Sequence, residues 1–355
     1  AFMKTTVAGG RAWHFSHSIG RLSPEHNESR FGSTGGSNYA MDVAIGDDEV
    51  LFILSRGFGY PSEAHGVDIG CRIGKTTYKE HHIGDFARGS FTWPNSIALS
   101  NDGKLYCSDE FENKIYVFET DKLMPYPEFD PTGESILEWG VKGGLPGQFN
   151  GPAGLDFDMD NRLYIVDSLN SRIQIFSKDG EFIEAWGEYG DGEGEFNKPW
   201  GITIDSDGYV YVADWGNNRV QKFTSDGEFV IQIGISDDPN LALDHPSGVG
   251  VDSQGDIYVV DWGNRRVQIY EPHGEMIASL YGDAVEFNKA GLYNLERDPE
   301  SIKNLRQNED ITSYTSKFGR PIGIAVDKQD RIIITDIRGR LQIYSKDKEY
   351  AEPSA

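Results

Sequence analysis

The sequence predicts an all-β fold, a six-bladed β-propeller whose blades are four-stranded antiparallel sheets. Three observations carry this prediction: a proline-led apolar alternation that recurs along the chain, an aspartate 15 residues after each of those prolines, and turn signals that cut every unit into four short strands. Helical periodicity is absent, so an α-solenoid or a two-domain α/β chain has no support.

The elements follow in order. The repeat prolines are Pro94, Pro152, Pro199, Pro246 and Pro321, and the paired aspartates are Asp109, Asp167, Asp214, Asp261 and Asp336. Turns such as Asn101–Gly103, Asp205–Gly208 and Asp252–Gly255 divide strand one from strand two. A third strand such as Arg219–Phe223, a hairpin at Ser225–Gly227 and a fourth strand at Phe229–Ile233 complete the unit. A sixth, degenerate copy begins at Ala40, with Ser55 in place of the aspartate. The last copy stops after Leu341–Tyr344 without a fourth strand, so Arg11–Gly20 is expected to pair as the outer strand of blade six and close the ring.

The whole chain, residues 1–355, reads as one propeller domain. Repeat starts lie 47 residues apart between blades three, four and five, but 58 apart from Pro94 to Pro152 and 75 apart from Pro246 to Pro321. The larger insertion, residues 286–317, contains Asp298–Leu305. There Asp as N-cap, Pro in the first turn and Ile302 with Leu305 on one face predict a short helix. It is a candidate lid over the channel, or a segment packed between blades five and six.

Composition narrows the function classes. With 57 acidic and 33 basic residues the formal charge is −24, which speaks against nucleic acid and against anionic membrane surfaces. Two cysteines, Cys71 and Cys107, make no disulfide framework, and reduced thiols are the simpler reading. The longest apolar run, Val50–Leu54, is too short to span a bilayer. No basic n-region with an apolar core opens the chain, and Ala1 and Phe2 ahead of Met3 read as an expression remnant. A cytoplasmic location is the expectation.

Units such as Asn197–Asp205 followed by Tyr211–Val220 resemble NHL repeats, a family whose fold is a six-bladed propeller. The resemblance runs from about Tyr39 to Tyr344 and implies fold more than function, because this scaffold hosts enzymes and binding modules alike.

Blade geometry brings the residue after each repeat proline and the residue after each repeat aspartate to one mouth of the channel. The first set is Met41, Asn95, Ala153, Trp200, Ser247 and Ile322; the second is Arg56, Glu110, Ser168, Trp215, Trp262 and Ile337. The recurring aspartates themselves read as structural, fixing turn amides or pairing with Arg172, Arg219 and Arg266 five residues on. Asp158 and Asp205 lack the downstream glutamate of a calcium loop and read as hairpin residues.

Departures from the repeat carry the functional signal. Blade one reads Leu54-Ser-Arg-Gly57, followed by the aromatic loop Phe58–His65, so Arg56 alone follows a repeat-aspartate position as an arginine. A guanidinium keeps its charge when desolvated and grips carboxylates bidentately, which suits an anionic ligand; a salt bridge to a neighbouring aspartate is the structural alternative. The Arg-Gly pair resembles the peptidyl-hydroxyglycine amidating lyase branch of NHL propellers, which implies a substrate-binding or catalytic role for Arg56. That branch holds zinc through histidines directly after repeat prolines. Asn95, Ala153, Trp200, Ser247 and Ile322 stand there, so no ligand carries over. Its catalytic tyrosine is also unmatched, with Ser168, Trp215 and Trp262 in its place.

Glu63, His65, Asp68, His81 and His82 gather within 20 residues, but without a helical i, i+4 pair or a zinc-ribbon pattern, and neighbouring strand histidines point to opposite faces. His14 and His17 also read as sheet or surface residues. No metal ligand is assigned, the cofactor stays unknown, and a divalent metal is the weaker reading. No nucleophile elbow, phosphate loop or dinucleotide fingerprint occurs.

Directly before the repeat prolines stand Trp93, Gly151, Lys198, His245 and Arg320. Lys198, His245, Arg320 and Arg56, with Trp200, Trp215 and Trp262, describe a cationic, tryptophan-rimmed opening in an acidic shell. Packing of Trp200 and Trp215 between blades is the structural alternative. Two functions stay open. One is a lyase- or hydrolase-type enzyme acting on a small anionic molecule, with Arg56 and His245 as catalytic candidates and Arg56, Lys198, Trp200, Trp215, Trp262, Asn95, Glu110 and Arg320 binding substrate. The other is a non-catalytic platform that binds a protein partner.

Overall fold

The computed structural model describes residues 4–20, 38–57, 71–87, 90–122, 135–285, 300 and 316–351. The helix expected over Asp298–Leu305 and the insertion around it lie outside them, apart from residues 300, 316 and 317. The blade-one loop Phe58–His65, with Glu63 and Asp68, lies outside them as well.

Six antiparallel sheets follow one another along the chain. Blade one comprises Asn38–Ile45, Val50–Gly57, Arg72–Thr77 and His82–Phe86; blade two Pro94–Leu99, Lys104–Asp109, Lys114–Glu119 and Leu137–Trp139. Blade three comprises Pro152–Phe157, Leu163–Asp167, Arg172–Phe176 and Phe182–Trp186; blade four Ile202–Ile204, Val210–Asp214, Arg219–Phe223 and Phe229–Ile233. Blade five comprises Pro246–Val251, Ile257–Asp261, Arg266–Tyr270 and Met276–Leu280. Blade six begins with Pro321–Val326, Arg331–Asp336 and Arg340–Asp347.

The spacing of 15 residues is a hairpin register. Pro94 faces Asp109, Pro152 faces Asp167, Pro246 faces Asp261 and Pro321 faces Asp336 as Cα partners. Ala40 faces Ser55 in the degenerate copy. At the far end the strands are joined by tight turns. In blade four the Gly208 amide donates to the Asp205 carbonyl and the Asp205 carboxylate accepts from Asp207 N, while Gly208 takes φ +84°, which favours glycine.

Arg11–Gly20 closes the ring by pairing antiparallel with Arg340–Asp347, from Ala12 opposite Asp347 to Gly20 opposite Arg340. It is not the outermost strand, however. Gly9 and Gly10, both at positive φ, make a two-residue hairpin that places Thr5–Ala8 outside it, so blade six has five strands. Only the missing fourth strand was needed by the repeat, so periodicity carried no signal for a fifth.

The core is a ring of layers between blades. Among the described residues six buried apolar clusters are found, one at each seam between neighbouring blades. The inner strands come close enough that a Cβ on Gly154 would lie 2.6 Å from the Trp200 carbonyl oxygen, and one on Gly201 would lie 2.5 Å from that of Ser247. Blades one and two carry Asp42 and Ser96 at the same position. There side chains replace backbone contact, Ser96 Oγ donating to Asp42 Oδ2 at 2.6 Å.

Candidate functional site

The repeat aspartates build the mouth. Asp214 is fully buried; it accepts from Asn197 N at 2.8 Å, Asn217 Nδ2 at 2.8 Å and Arg219 Nε at 2.9 Å. Asp167 and Asp261 repeat the pattern with Arg172 and Arg266. Asp109 holds the amides of Thr92 and Trp93, and Asp336 those of Gly319 and Arg320. These carboxylates are consumed by the segment that leads into the inner strand of their own blade. They fix the backbone on which the repeat-breaking side chains stand.

Two groups of the expected residues come together. In the first, Arg56 bridges blades one and two: Nε and Nη2 donate to the Pro94 carbonyl at 3.1 and 2.8 Å, and Nη2 also donates to Asn95 Oδ1. Its guanidinium lies 4.1 Å from the centre of the Trp93 ring. Asn95 Nδ2 in turn donates to Glu110 Oε2 at 2.5 Å. Arg56 therefore reaches a carboxylate through Asn95, and its hydrogen-bond acceptors among the described residues are neutral. At 8% exposure, burial pulls its pKa down to about 10, with Glu110 opposing.

The second group spans blades four to six. The His245 ring lies 4.0 Å from Trp215, tilted by 60° to it, and Trp262 lies 6.5 Å from both. The Arg320 guanidinium lies 4.2 Å from the centre of the Trp262 ring. His245 Nδ1 is 2.5 Å from the carboxylate of Asp244, a residue not singled out from the sequence. A signal for it existed: Asp244 stands where blade four carries Asn197, immediately before the residue that precedes the proline.

Trp200 packs half-buried against the core between blades three and four and lines the channel. Lys198 is exposed, with its backbone at φ +51°, close to the +53° of His245 at the same repeat position. Among the described residues no contact joins Lys198 to His245, Arg320 or Arg56.

The channel holds about 310 Å³ and is lined by the six inner strands. Met41, Asn95, Ser247 and Ile322 are buried and Trp200 is half-buried at the aspartate end, whereas Ile45, Leu99, Ile204, Val251 and Val326 are all half-buried at the hairpin end. The space is thus more open toward the hairpin face. Two carboxylates border it, Asp42 and Asp156, whose pKa values burial pushes up to about 6 against the hydrogen bonds that hold them. Sequence reasoning missed both, since an aspartate in an apolar inner strand matches no motif.

Among the described residues no three His, Cys, Asp or Glu side chains gather as metal ligands would. His82 lies 3.7 Å from Asp85, and His17 Nε2 lies 2.5 Å from the Tyr78 carbonyl oxygen. Cys71 and Cys107 are buried thiols, not joined in a disulfide. No helix among the described residues is long and apolar enough to cross a membrane.

A family model described as a 6-bladed beta-propeller matches residues 157–249, and one for the NHL repeat matches residues 243–270. The chain is a six-bladed β-propeller with an NHL repeat. No curated protein matches its sequence. The propeller resembles virginiamycin B lyase from Staphylococcus aureus, solved as an inactive variant with quinupristin, at 14% identity and a TM-score of 0.52, covering 88% of this chain and 97% of that one. It resembles a gluconolactonase of Xanthomonas campestris at 12% identity and a TM-score of 0.58, covering 96% and 91%. A Bacteroides thetaiotaomicron protein of unknown function is similar at 16% identity and a TM-score of 0.62, covering 95% and 76%. At these identities the likeness concerns the propeller fold; enzymes are among the proteins that share it.

Proposed function

We propose that this propeller is an enzyme of the lyase or hydrolase type, taking a small anionic molecule at the aspartate-side mouth. The observation that carries the reading is the His245–Asp244 pair, with His245 against Trp215 and near Trp262, and Arg320 on the Trp262 ring. A carboxylate on Nδ1 orients the imidazole, leaving Nε2 to exchange a proton with a bound molecule. Arg320 would face the substrate's negative charge, the tryptophans would supply its walls, and Arg56 with Asn95 and Glu110 would border the site from blades one and two. Similarity in fold to a lyase and a lactonase supports this class of chemistry.

The test is a thermal-shift and turnover screen of wild type against small carboxylates, lactones and esters, repeated on His245→Gln and Arg320→Gln. The expected outcome is a substrate that wild type converts, that His245→Gln binds without converting, and that Arg320→Gln binds at least ten-fold more weakly. Equal turnover by His245→Gln, or no ligand response across the panel, would overturn the reading.

A further inference from the structure

Arg320 differs from the other arginines of the aspartate-side mouth in how its guanidinium is used. Arg172, Arg219 and Arg266 each spend Nε on the repeat aspartate and their outer nitrogens on carbonyls of the preceding link. Arg56 spends its donors on Pro94 and Asn95. Arg320 is held instead by its backbone, whose amide donates to Asp336 and whose carbonyl accepts from Ile337 N, and by its flat face on Trp262. Among the described residues its guanidinium N–H groups meet no acceptor. The carboxylate of its own blade does not compete, because Asp336 is buried and accepts the amides of Gly319, Arg320 and Arg338. A half-buried guanidinium fixed by stacking, with its donors unspent, is ready to grip a planar oxyanion from two nitrogens.

The surroundings select the rest of the molecule. Trp262 and Ile337 pack half-buried against the core cluster that reaches the mouth at Met41 and Ile322, and Trp215 lies half-buried 6.5 Å from Trp262. The polar side chains joined to this group are His245 and Asp244, which bond each other. A polyhydroxylated molecule would leave hydroxyls unpaired against tryptophan and isoleucine, whereas a planar ring gains from the same contacts. Charge narrows the choice further. One unspent guanidinium in a chain of formal charge −24 matches one negative charge, and a dianion would bring a second with no partner.

We infer that the substrate class of this mouth is a carboxylate borne on an aromatic ring, its carboxylate on Arg320 and its ring against Trp215, Trp262 and Ile337. The inference deepens the proposed function and rests on its placing of the substrate at this mouth. Arg320 then sets the specificity, by charge and by the geometry of its fork, and the tryptophans discriminate among monoanions by what carries the carboxylate.

The experiment is isothermal titration calorimetry of the full chain with phenylacetate, gluconate, phenylacetamide and inorganic phosphate, run beside the turnover screen of lactones and esters. Phenylacetate is expected to bind about ten-fold more tightly than each of the other three. Arg320→Lys keeps the charge but loses the fork and the flat stack, and should weaken phenylacetate about ten-fold. Trp262→Leu should abolish the preference over gluconate, while Arg265→Gln, which removes an exposed arginine of blade five, should change neither. Gluconate or phosphate binding as tightly as phenylacetate would overturn the inference, as would an Arg320→Lys affinity equal to that of wild type. Lactone turnover by a protein that shows no such preference would leave the proposed function standing and remove only the substrate class. Ring-selective binding that Arg320→Lys weakens, together with unchanged turnover by His245→Gln, would support the class and remove the proposed chemistry.

Discussion

Trp13 Nε1 donates to the hydroxyl of Tyr258 at 2.9 Å, joining the closing strand to blade five across 245 residues of sequence. Both side chains are fully buried in the seam between blades five and six, and the Tyr258 hydroxyl in turn donates to Asp252 at 2.8 Å. This is where a ring built from a linear repeat is fastened.

Replacing Trp13 with Ala is therefore expected to cost about 3–5 kcal/mol, as large-to-small changes of buried aromatics do. Trp13→Phe keeps most of the apolar contact and loses the donor, for about 1–2 kcal/mol. Urea denaturation of both variants checks the order; a Trp13→Ala loss no larger than that of Trp13→Phe would show that the seam does not depend on the indole's bulk.

Beside it, Lys346 Nζ lies 2.6 Å from Asp252 and 2.7 Å from Asp256, with all three side chains fully buried, and Arg11 Nε reaches Asp256 at 2.7 Å. Lys346→Met strands two buried carboxylates, at a cost of about 3–5 kcal/mol near neutral pH. Burial already holds Asp256 above its usual range, and removing the ammonium raises it further. A group with a raised folded pKa stabilises most when protonated, so the deficit of Lys346→Met should shrink from pH 8 to pH 5. Guanidinium unfolding at both pH values measures it; a pH-independent deficit would count against the account.

Asp42 and Asp156 are both raised from 3.8 to about 6. Their contribution is fully present below the unfolded value and is lost as pH rises through about 6. Both face the channel, so solvent there reduces the effect below what full burial would give. Asp156→Asn keeps an acceptor for Ile204 N, now at 2.7 Å from the carboxylate, and removes the titration. Its stability relative to wild type should rise between pH 4.5 and 7.5, and parallel pH profiles in chemical denaturation would refute the assignment.

Arg56→Lys tests whether the blade-one arginine is a seam element. A lysine cannot hold the Pro94 carbonyl from two nitrogens and stack flat on Trp93, so a loss of about 1–3 kcal/mol is expected without any ligand. An unchanged thermal midpoint would free Arg56 from that duty and return it to ligand binding alone.

Much of the fold was legible because the repeat is written in local terms. Pro94 and Asp109 face each other across one hairpin, and turn residues such as Asp205 and Gly208 announce where the chain reverses. Even the degenerate copy at Ala40 was recognisable from spacing, although its aspartate is gone. The candidate site was legible only in part. His245, Trp215, Trp262 and Arg320 stood out as repeat breakers and come together. Asp244, Asp42 and Asp156 went unnoticed, because a single aspartate near a turn or in a strand has no distinguishing pattern.

The sequence by itself determined the blade count, the strand order within blades one to five and which mouth receives the repeat-breaking residues. Those features depend on hydrophobic alternation and turn chemistry over stretches of about 50 residues or fewer. Only the tertiary structure decided that Arg56 spends its donors on Pro94 and Asn95, and that Trp13 bonds Tyr258. The physical reason is that these contacts form between blades, where curvature of the ring sets the partner and distance along the chain says nothing about it.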